Sequence, residues 1–140
     1  MSGKTILLVE DNPDEAELTR IAFAQSGCEC ALEVAGDGVE ALGYLRARAG
    51  KTLPAVVLLD MNLPKLDGRE VLQALRADPA TRTLPVVVLS TSAEPGDVAE
   101  MYALGANSYV QKPMAFASFV EMVRRIGQYW LSLNQLPGRG

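Results

Sequence analysis

Each of four short apolar runs in this chain ends in a polar group that can do chemistry. The first run ends in two carboxylates, the second in one carboxylate, the third in a hydroxyl group and the fourth in an ammonium group. In chain order these groups belong to Glu10 and Asp11, Asp60, Ser90, and Lys112. If the runs are parallel strands, their carboxyl ends meet at one edge of a sheet, where the groups would lie together. Such a set can bind a hard metal ion and a phosphoryl group.

The three carboxylates form a candidate magnesium site. Mg²⁺ takes oxygen ligands in a tight octahedron and keeps several waters, so one or two carboxylates and a backbone carbonyl are a sufficient protein contribution. We expect Asp11 and Asp60 to supply side-chain oxygens and Asn62, two residues further on, to supply its carbonyl. Glu10 would act through a metal-bound water.

Asp60 also has the setting of a nucleophile toward phosphorus, because an aspartate can form an acyl phosphate. Phosphoryl transfer depends mainly on charges placed around the equatorial oxygens. A metal ion, the Lys112 ammonium group and the Ser90 hydroxyl would supply them. Taken singly, Asp60 could cap a turn, Lys112 could be an ordinary loop cation and Ser90 could cap a helix. Four strand ends carrying this chemistry together favour the functional interpretation.

Strand-like and helix-like segments alternate along the chain. Asn12 and Pro13 predict a helix start, with a side-chain cap and a proline at the first helical position. In that helix we expect Leu18, Ile21 and Ala22 to face inward. Five strands alternate with five helices, and most strands are unbroken apolar runs without polar alternation. This pattern predicts an α/β fold, a doubly wound five-stranded parallel sheet with helices on both faces.

Composition bounds the class of protein. The chain has 140 residues, 49% of them hydrophobic and 21% charged, which is typical of one domain, expected over residues 1–134, with a loose tail over 135–140. Thirteen basic and seventeen acidic residues give a net charge of −4, and no Lys/Arg-rich run is present, so we expect no direct DNA binding. The apolar runs are too short for a secretory or membrane segment, which predicts a cytoplasmic protein.

The histidine and cysteine content limits the kinds of catalytic and redox site that the chain can form. The chain contains no histidine, which excludes a histidine-based triad and a role as a phosphohistidine donor. The only cysteines are Cys28 and Cys30, whose spacing in a strand puts them on one face at a separation that rarely suits a disulfide. We interpret them as small packing thiols, with a redox role as the alternative.

Over essentially its whole length the sequence resembles the receiver domains of two-component response regulators, which have a flavodoxin-like, CheY-like fold. The matching motifs are Val9-Glu10-Asp11, Leu59-Asp60-Met61-Asn62-Leu63-Pro64, Asp67-Gly68, Leu89-Ser90, Gly105-Ala106, and Tyr109 with Lys112-Pro113. The resemblance implies that Asp60 is the phosphoacceptor, that Glu10 and Asp11 hold magnesium, and that Lys112 contacts the phosphoryl group. It also implies that Ser90 is the switch hydroxyl and Tyr109 the switch aromatic residue.

A finer resemblance is to small single-domain regulators paired with phytochrome-type histidine kinases. It rests on Glu10-Asp11-Asn12-Pro13-Asp14-Glu15, Asn62-Leu63-Pro64-Lys65, Asp67-Gly68-Arg69-Glu70-Val71-Leu72, and Tyr129-Trp130-Leu131 with Leu136-Pro137. The resemblance implies a phosphohistidine donor on a bacteriophytochrome kinase and a homodimer. Independently, the last helix is rich in aromatic residues, which favours an interface, although core packing could explain part of them. These residues are Phe116, Phe119, Tyr129 and Trp130.

The expected function is therefore a signalling switch rather than an enzyme. Phosphorylation of Asp60 would draw the Ser90 hydroxyl inward and make room for Tyr109, and the output would be protein association. Two alternatives stay open, a scaffold that binds its partner without phosphorylation and a phosphate sink. A magnesium-dependent phosphatase is disfavoured because Asn62 stands where such enzymes need a second aspartate. A nucleotide- or flavin-binding module is disfavoured because no glycine-rich loop follows the first strand.

Overall fold

The computed structural model describes residues 4–48, 50–61 and 67–137. Over these residues, five strands alternate strictly with five α-helices, and a π-helical turn, Tyr129–Leu133, continues the last helix. The elements are β1 (Thr5–Val9), α1 (Pro13–Ser26), β2 (Ala31–Ala35), α2 (Gly38–Ala47), β3 (Val56–Asp60), α3 (Gly68–Ala77), β4 (Val86–Ser90), α4 (Pro95–Ala103), β5 (Ser108–Gln111) and α5 (Phe116–Gln128). The predicted alternation is confirmed.

The five strands form one parallel sheet in the order β2-β1-β3-β4-β5, which confirms the doubly wound fold. The order reverses between β1 and β3, where ligands bind at the carboxyl ends of the strands in such folds. The register aligns those ends, since Val9 pairs with Leu59, Asp60 with Leu89, and Ser90 with Gln111. The carboxyl edge of the sheet therefore carries the polar groups that the sequence singles out.

Both faces of the sheet are buried. Successive side chains of a strand point to opposite faces, so Leu7 and Val9 lie in a core covered by α2, α3 and α4, whereas Ile6 and Leu8 lie in a core covered by α1 and α5. All four side chains are at most 2% exposed, and burying each contributes roughly 1.5–3 kcal/mol. Two packed layers hold the strand ends in place.

The buried face of α1 differs from the prediction. Asn12 caps the helix as expected, with its Oδ1 accepting hydrogen bonds from the backbone N–H of Asp14 and Glu15. The inward residues, however, are Ala16, Thr19, Ala22 and Phe23. Leu18 and Ile21 are 42% and 38% exposed, so their predicted inward orientation was wrong. Leu18 and Ile21 each directly precede a buried residue, and consecutive side chains of an α-helix point about 100° apart around its axis.

The end of the chain also differs from a single long helix. The α-helical hydrogen-bond pattern ends at Gln128, and the π-helical turn that follows buries Leu131. Leu136 packs against the core formed with α1 and α5, so the chain keeps contact with the domain beyond residue 134. Among the described helices, none has both the length and the apolar character that crossing a membrane requires.

Candidate functional site

Three predicted carboxylates come together at the carboxyl edge. One oxygen each of Glu10, Asp11 and Asp60 lies within 4.8 Å of the other two. Glu10 is buried, Asp60 is half-buried and Asp11 is exposed. Because Glu10 and Asp11 directly follow β1 and Asp60 ends β3, the cluster spans the point where the strand order reverses. The cluster is open to solvent on its Asp11 side.

Lys112 reaches the same cluster from β5. Its Nζ lies 3.3 Å from Asp60 Oδ2 and 3.4 Å from Glu10 Oε1. The backbone holds the lysine there, since its N–H donates a 2.7 Å hydrogen bond to the Ser90 carbonyl. Burial alone would lower the pKa of Lys112, but the charges of Asp60 and Glu10 outweigh it and raise that pKa. The ammonium group therefore stays charged and bridges two carboxylates.

Negative charge is in excess at this edge, because three carboxylates face one ammonium group. Burial, and next the charge of Asp60, raise the pKa of Glu10 to about 7, although Lys112 acts in the opposite direction. A divalent cation would relieve this excess, and carboxylate oxygens are the donors that hard cations prefer. The donor set thus fits a hard divalent metal. The predicted carbonyl ligand, Asn62, lies outside the described residues.

Ser90 and Tyr109 are joined through Ser92, which the sequence analysis did not place in the site. Ser90 is 6% exposed, and its hydroxyl accepts a 3.1 Å hydrogen bond from the Ser92 N–H. The Tyr109 hydroxyl donates to the Ser92 carbonyl at 3.0 Å. The Ser92 hydroxyl in turn donates to Asp97 of α4 at 2.8 Å. One residue therefore connects both predicted switch residues to the start of α4.

Gly68 is a second residue whose role was missed. A Cβ at this position would lie 2.8 Å from the Met61 carbonyl oxygen and 2.9 Å from that of Asp60. Only a glycine lets the start of α3 approach the backbone after Asp60 this closely. Asp67 fixes the same turn through a capping box with Glu70. The dipeptide Asp67-Gly68 was the available signal, but by itself it indicates only a turn.

The aromatic residues predicted as an interface lie along α5 and the π-helical turn. Phe119 and Trp130 are half-buried and pack against the core formed with α1 and α5. Tyr129 is 47% exposed and Phe116 39% exposed. The rings of Tyr129 and Trp130 meet edge to face, with centroids 4.8 Å apart. Phe119 and Trp130 therefore contribute to core packing, whereas Phe116 and Tyr129 are exposed aromatic residues.

Comparison with known proteins shows the family to which the chain belongs. Residues 6–124 match the response regulator receiver domain. The chain belongs to the response regulator receiver family. The matched range contains the acidic cluster, Lys112, Ser90 and Tyr109, so the resemblance inferred from the motifs is confirmed.

Curated relatives match the receiver along nearly its full length. The probable methanogenesis regulatory protein FilR2 of Methanothrix harundinacea is 44% identical over 135 residues, which cover 95% of this chain and 87% of that protein. Response regulator Rcp1 of Synechocystis sp. is 36% identical over 137 residues, covering 96% and 93%.

Solved structures give the same picture for the receiver. The phosphorylated cyanobacterial phytochrome response regulator RcpA superposes with a TM-score of 0.87 and 40% identity, covering 97% of this chain and 99% of that chain. The Mn²⁺-bound form of Rcp1 superposes with a TM-score of 0.83 and 36% identity, covering 96% and 99%. The receiver is thus related to phytochrome response regulators, and one relative binds a divalent metal.

Proposed function

We propose that this receiver accepts a phosphoryl group on Asp60 from a phosphohistidine of a histidine kinase, in a reaction that requires Mg²⁺. The observation that carries the proposal is the position of Lys112 Nζ, 3.3 Å from Asp60 and 3.4 Å from Glu10. A cation held against one carboxylate of a three-carboxylate cluster suits a site that receives a phosphoryl dianion.

The proposed reaction exchanges one bond to phosphorus for another. A carboxylate oxygen of Asp60 attacks the phosphorus atom, the P–N bond of the donor breaks, and the imidazole leaves with the electron pair and takes a proton from solvent. The Lys112 ammonium group compensates charge on the phosphoryl oxygens. Asp60 is half-buried, so the sheet restricts its side chain, and positioning of this kind is the main protein contribution to phosphoryl transfer.

Magnesium would be held by Glu10, Asp11 and Asp60, with the carbonyl of Asn62 as a further ligand. When bound, Mg²⁺ supplies positive charge to the phosphoryl oxygens. The carboxylate cluster supports this assignment, because three carboxylates lie together beside one ammonium group. The pKa of Glu10, raised first by burial and then by the charge of Asp60, agrees with it, since a bound cation would favour the charged form of this carboxyl group. The Mn²⁺-bound form of Rcp1 supports it at the level of a divalent cation.

The proposed switch runs through Ser90, Ser92 and Tyr109. A phosphoryl oxygen on Asp60 would attract the Ser90 hydroxyl away from the Ser92 N–H, and Ser92 would then shift relative to Tyr109 and α4. A new dianion can bias two packings that differ by a few kcal/mol. The output would be association of the surface formed by Phe119, Tyr129 and Trp130 in a homodimer.

A phytochrome-type kinase is the proposed donor. The similarity to RcpA, a phytochrome response regulator that was crystallised in its phosphorylated form, supports this pairing. FilR2, a methanogenesis regulatory protein, is similarly related to this chain, so the pairing needs its own test. We expect phosphotransfer from a purified red-light-sensing phytochrome kinase to be faster than from a kinase without a light sensor. Equal rates from both donors would contradict the pairing and leave the role of Asp60 intact.

Intact mass after incubation with acetyl phosphate and Mg²⁺ tests the central proposal. We expect the wild type to gain about 80 Da, one phosphoryl group, and Asp60→Asn to gain nothing. Asp78→Asn, altered at the opposite end of the sheet, is the matched control and should be labelled like the wild type. Chelation of the metal should abolish the labelling. Equal labelling of Asp60→Asn would refute the acceptor role, and no labelling by either acetyl phosphate or a kinase would favour the scaffold alternative.

Light scattering on the same samples tests the output. We expect the phosphorylated wild type to contain more dimer than Asp60→Asn at equal concentration. Replacing Tyr129 by serine should reduce dimerisation while leaving the labelling of Asp60 unchanged. A dimer that forms equally in all samples would show that association does not depend on phosphorylation.

A further inference from the structure

The two cysteines lie at the end of the molecule opposite the carboxylate cluster. Cys28 and Cys30 belong to the connection between α1 and β2 and precede the amino end of the sheet. Their sulfur atoms are 3.3 Å apart, and both residues are half-exposed. The sulfurs are therefore within hydrogen-bond distance and need to approach by only about 1.3 Å to reach disulfide bond length.

The two thiols have different surroundings. Cys28 lines a pocket of about 510 Å³ together with Lys4, Arg124 and Gly127, whereas Cys30 does not line it. Cys28 Sγ rests directly against α5, since a Cβ on Gly127 would lie 2.9 Å from it. A small oxidant that enters the pocket would therefore meet Cys28 and not Cys30.

We propose that Cys28 and Cys30 are a peroxide-sensitive dithiol whose oxidation to a disulfide changes the packing of α5. The oxidant is a hydroperoxide. The Cys28 thiolate attacks the peroxide oxygen, the O–O bond breaks, and an alcohol or water leaves, which gives a sulfenic acid on Cys28. The Cys30 sulfur then attacks the Cys28 sulfur, the S–OH bond breaks, and water leaves. Two thiols and one hydroperoxide thus become one disulfide, one alcohol or water, and one further water.

The assignment of roles follows from the surroundings of each thiol. Cys28 lines the pocket through which a hydroperoxide can approach, whereas Cys30 does not. Burial, and then the hydrogen bond and charge of Cys28, raise the pKa of Cys30 to about 12, so Cys30 stays a thiol until a neighbouring sulfur is oxidised. Cys28 is the attacking residue and Cys30 the resolving one.

A metal site does not fit the same pair. The chain has two cysteines and no histidine, whereas closed zinc sites use four cysteine or histidine ligands. Thiol pairs in reducing compartments form transient disulfides with redox roles rather than structural ones. Strained or exposed disulfides are readily reduced, and the short ring closed by residues two apart belongs to that class. A dithiol reductant would therefore reverse the reaction by exchange.

The consequence for α5 comes from Gly127. Because the two sulfurs must approach by about 1.3 Å, forming the disulfide would displace Cys28 Sγ from its position against this glycine. The contact lies one turn before Trp130 and next to the π-helical turn. Losing it should loosen the carboxyl end of α5. This inference does not depend on phosphorylation of Asp60.

Non-reducing intact mass after treatment with hydrogen peroxide tests the chemistry. We expect the wild type to lose about 2 Da and to regain it with dithiothreitol, and Cys30→Ser to stop at a sulfenic acid, a gain of about 16 Da that a dione reagent traps. Cys28→Ser should remain unmodified under the same conditions. Gains of oxygen without a loss of about 2 Da, or a disulfide between two chains, would overturn the proposal, as would an inert wild type.

Hydrogen exchange tests the coupling to α5. We expect amides in the carboxyl half of α5 to exchange at least about two-fold faster in oxidised than in reduced wild type. Peroxide-treated Cys28→Ser is the matched control and should show no change. Asp60→Asn should respond like the wild type, which separates this device from the phosphorylation site. Unchanged exchange in the oxidised wild type would refute the coupling.

Discussion

Two half-buried cations lie at opposite ends of the sheet and have opposite surroundings. Lys112 at the carboxyl end faces the carboxylates of Glu10 and Asp60. Arg76, on α3, lies at the amino end of β4 and β5, and the acceptors of its hydrogen bonds are neutral oxygens. They are the backbone carbonyls of Thr81, Arg82, Leu84 and Gly105 and the side-chain amide of Asn107.

The difference shows in the pKa of each group. Burial lowers the pKa of Arg76, and no carboxylate among the described residues opposes that effect. At Lys112 the charges of Asp60 and Glu10 more than offset burial and raise the pKa. Arg76 remains protonated regardless, because its ordinary pKa is so high. Arg76 is thus held by the geometry of its hydrogen bonds, whereas Lys112 is held by charge.

The comparison separates an end of the molecule held by hydrogen bonds to neutral oxygens from an end that carries a cluster of charged groups. Arg76 ties α3 to the start of β4 and to the turn before β5, and Asn107 Oδ1 also accepts a hydrogen bond from the Val86 N–H. The Arg76 guanidinium group thus donates to four backbone carbonyls. Lys112 leaves one more carboxylate than it can pair with, and such an excess of negative charge suits a hard divalent cation. The amino end therefore fixes β4 and β5, and their carboxyl ends carry Ser90 and Lys112.

The largest effect is expected from Arg76→Met. The substitution leaves several backbone carbonyls without their donor, so we expect the free energy of unfolding to fall by about 4 kcal/mol. Urea unfolding followed by circular dichroism measures it. Arg76→Lys should recover part of the loss, because one cation can reach some of the carbonyls. A loss of stability below about 1 kcal/mol for Arg76→Met would contradict the structural role assigned to Arg76.

Lys112→Met should affect the reaction rather than the fold. Removing the cation beside Asp60 should slow labelling by acetyl phosphate by about 100-fold, as removal of one charge-stabilising donor does elsewhere. Initial rates measured by intact mass give the effect. Arg76→Met, assayed where it is still folded, should be labelled at nearly the wild-type rate. Equal rate losses in both variants would remove the distinction between the two ends.

The pH dependence of stability should reveal the burial of Glu10 and the charge of Asp60 beside it. Its carboxyl pKa rises from 4.5 to about 7 on folding, so between these values the folded protein binds more protons than the unfolded chain. Stability without metal should therefore fall as pH rises through this window, by on the order of 2 kcal/mol. Denaturant unfolding between pH 5 and pH 8 measures it. Glu10→Gln should weaken this dependence of stability on pH. Mg²⁺ should restore the stability of the wild type at the high-pH end of the window.

Gly105→Ala should produce the smallest of these effects. Gly105 has φ +110°, and a Cβ there would lie 2.8 Å from Arg76 Cγ. We expect a loss of about 1–2 kcal/mol, since an alanine is strained in this conformation and displaces Arg76. Gly43→Ala is the control, because a Cβ there meets nothing within 4 Å and alanine favours the helix. A neutral result for Gly105→Ala would mean that the Arg76 network adapts easily.

Much of the fold and of the candidate site could be predicted from local patterns. Unbroken apolar runs predicted buried parallel strands, and polar residues directly after them predicted the carboxyl-edge cluster. The inward face of α1 could not be predicted in this way, because small residues such as Ala16 and Thr19 can face a core as well as Leu18 can. No local sequence pattern indicated the role of Arg76, because most of its hydrogen-bond acceptors are backbone oxygens, which every residue has, in separate segments of the chain.

The sequence by itself determined which chemical groups terminate which strands, because that depends only on the order of residues along the chain. It therefore determined the fold class and the identities of Glu10, Asp11, Asp60 and Lys112. Only the tertiary structure decided how those groups are charged and paired, since pKa values and ion pairs depend on distance and burial. The same holds for the link through Ser92 and for the contact of Cys28 with Gly127, which join residues that no local pattern relates.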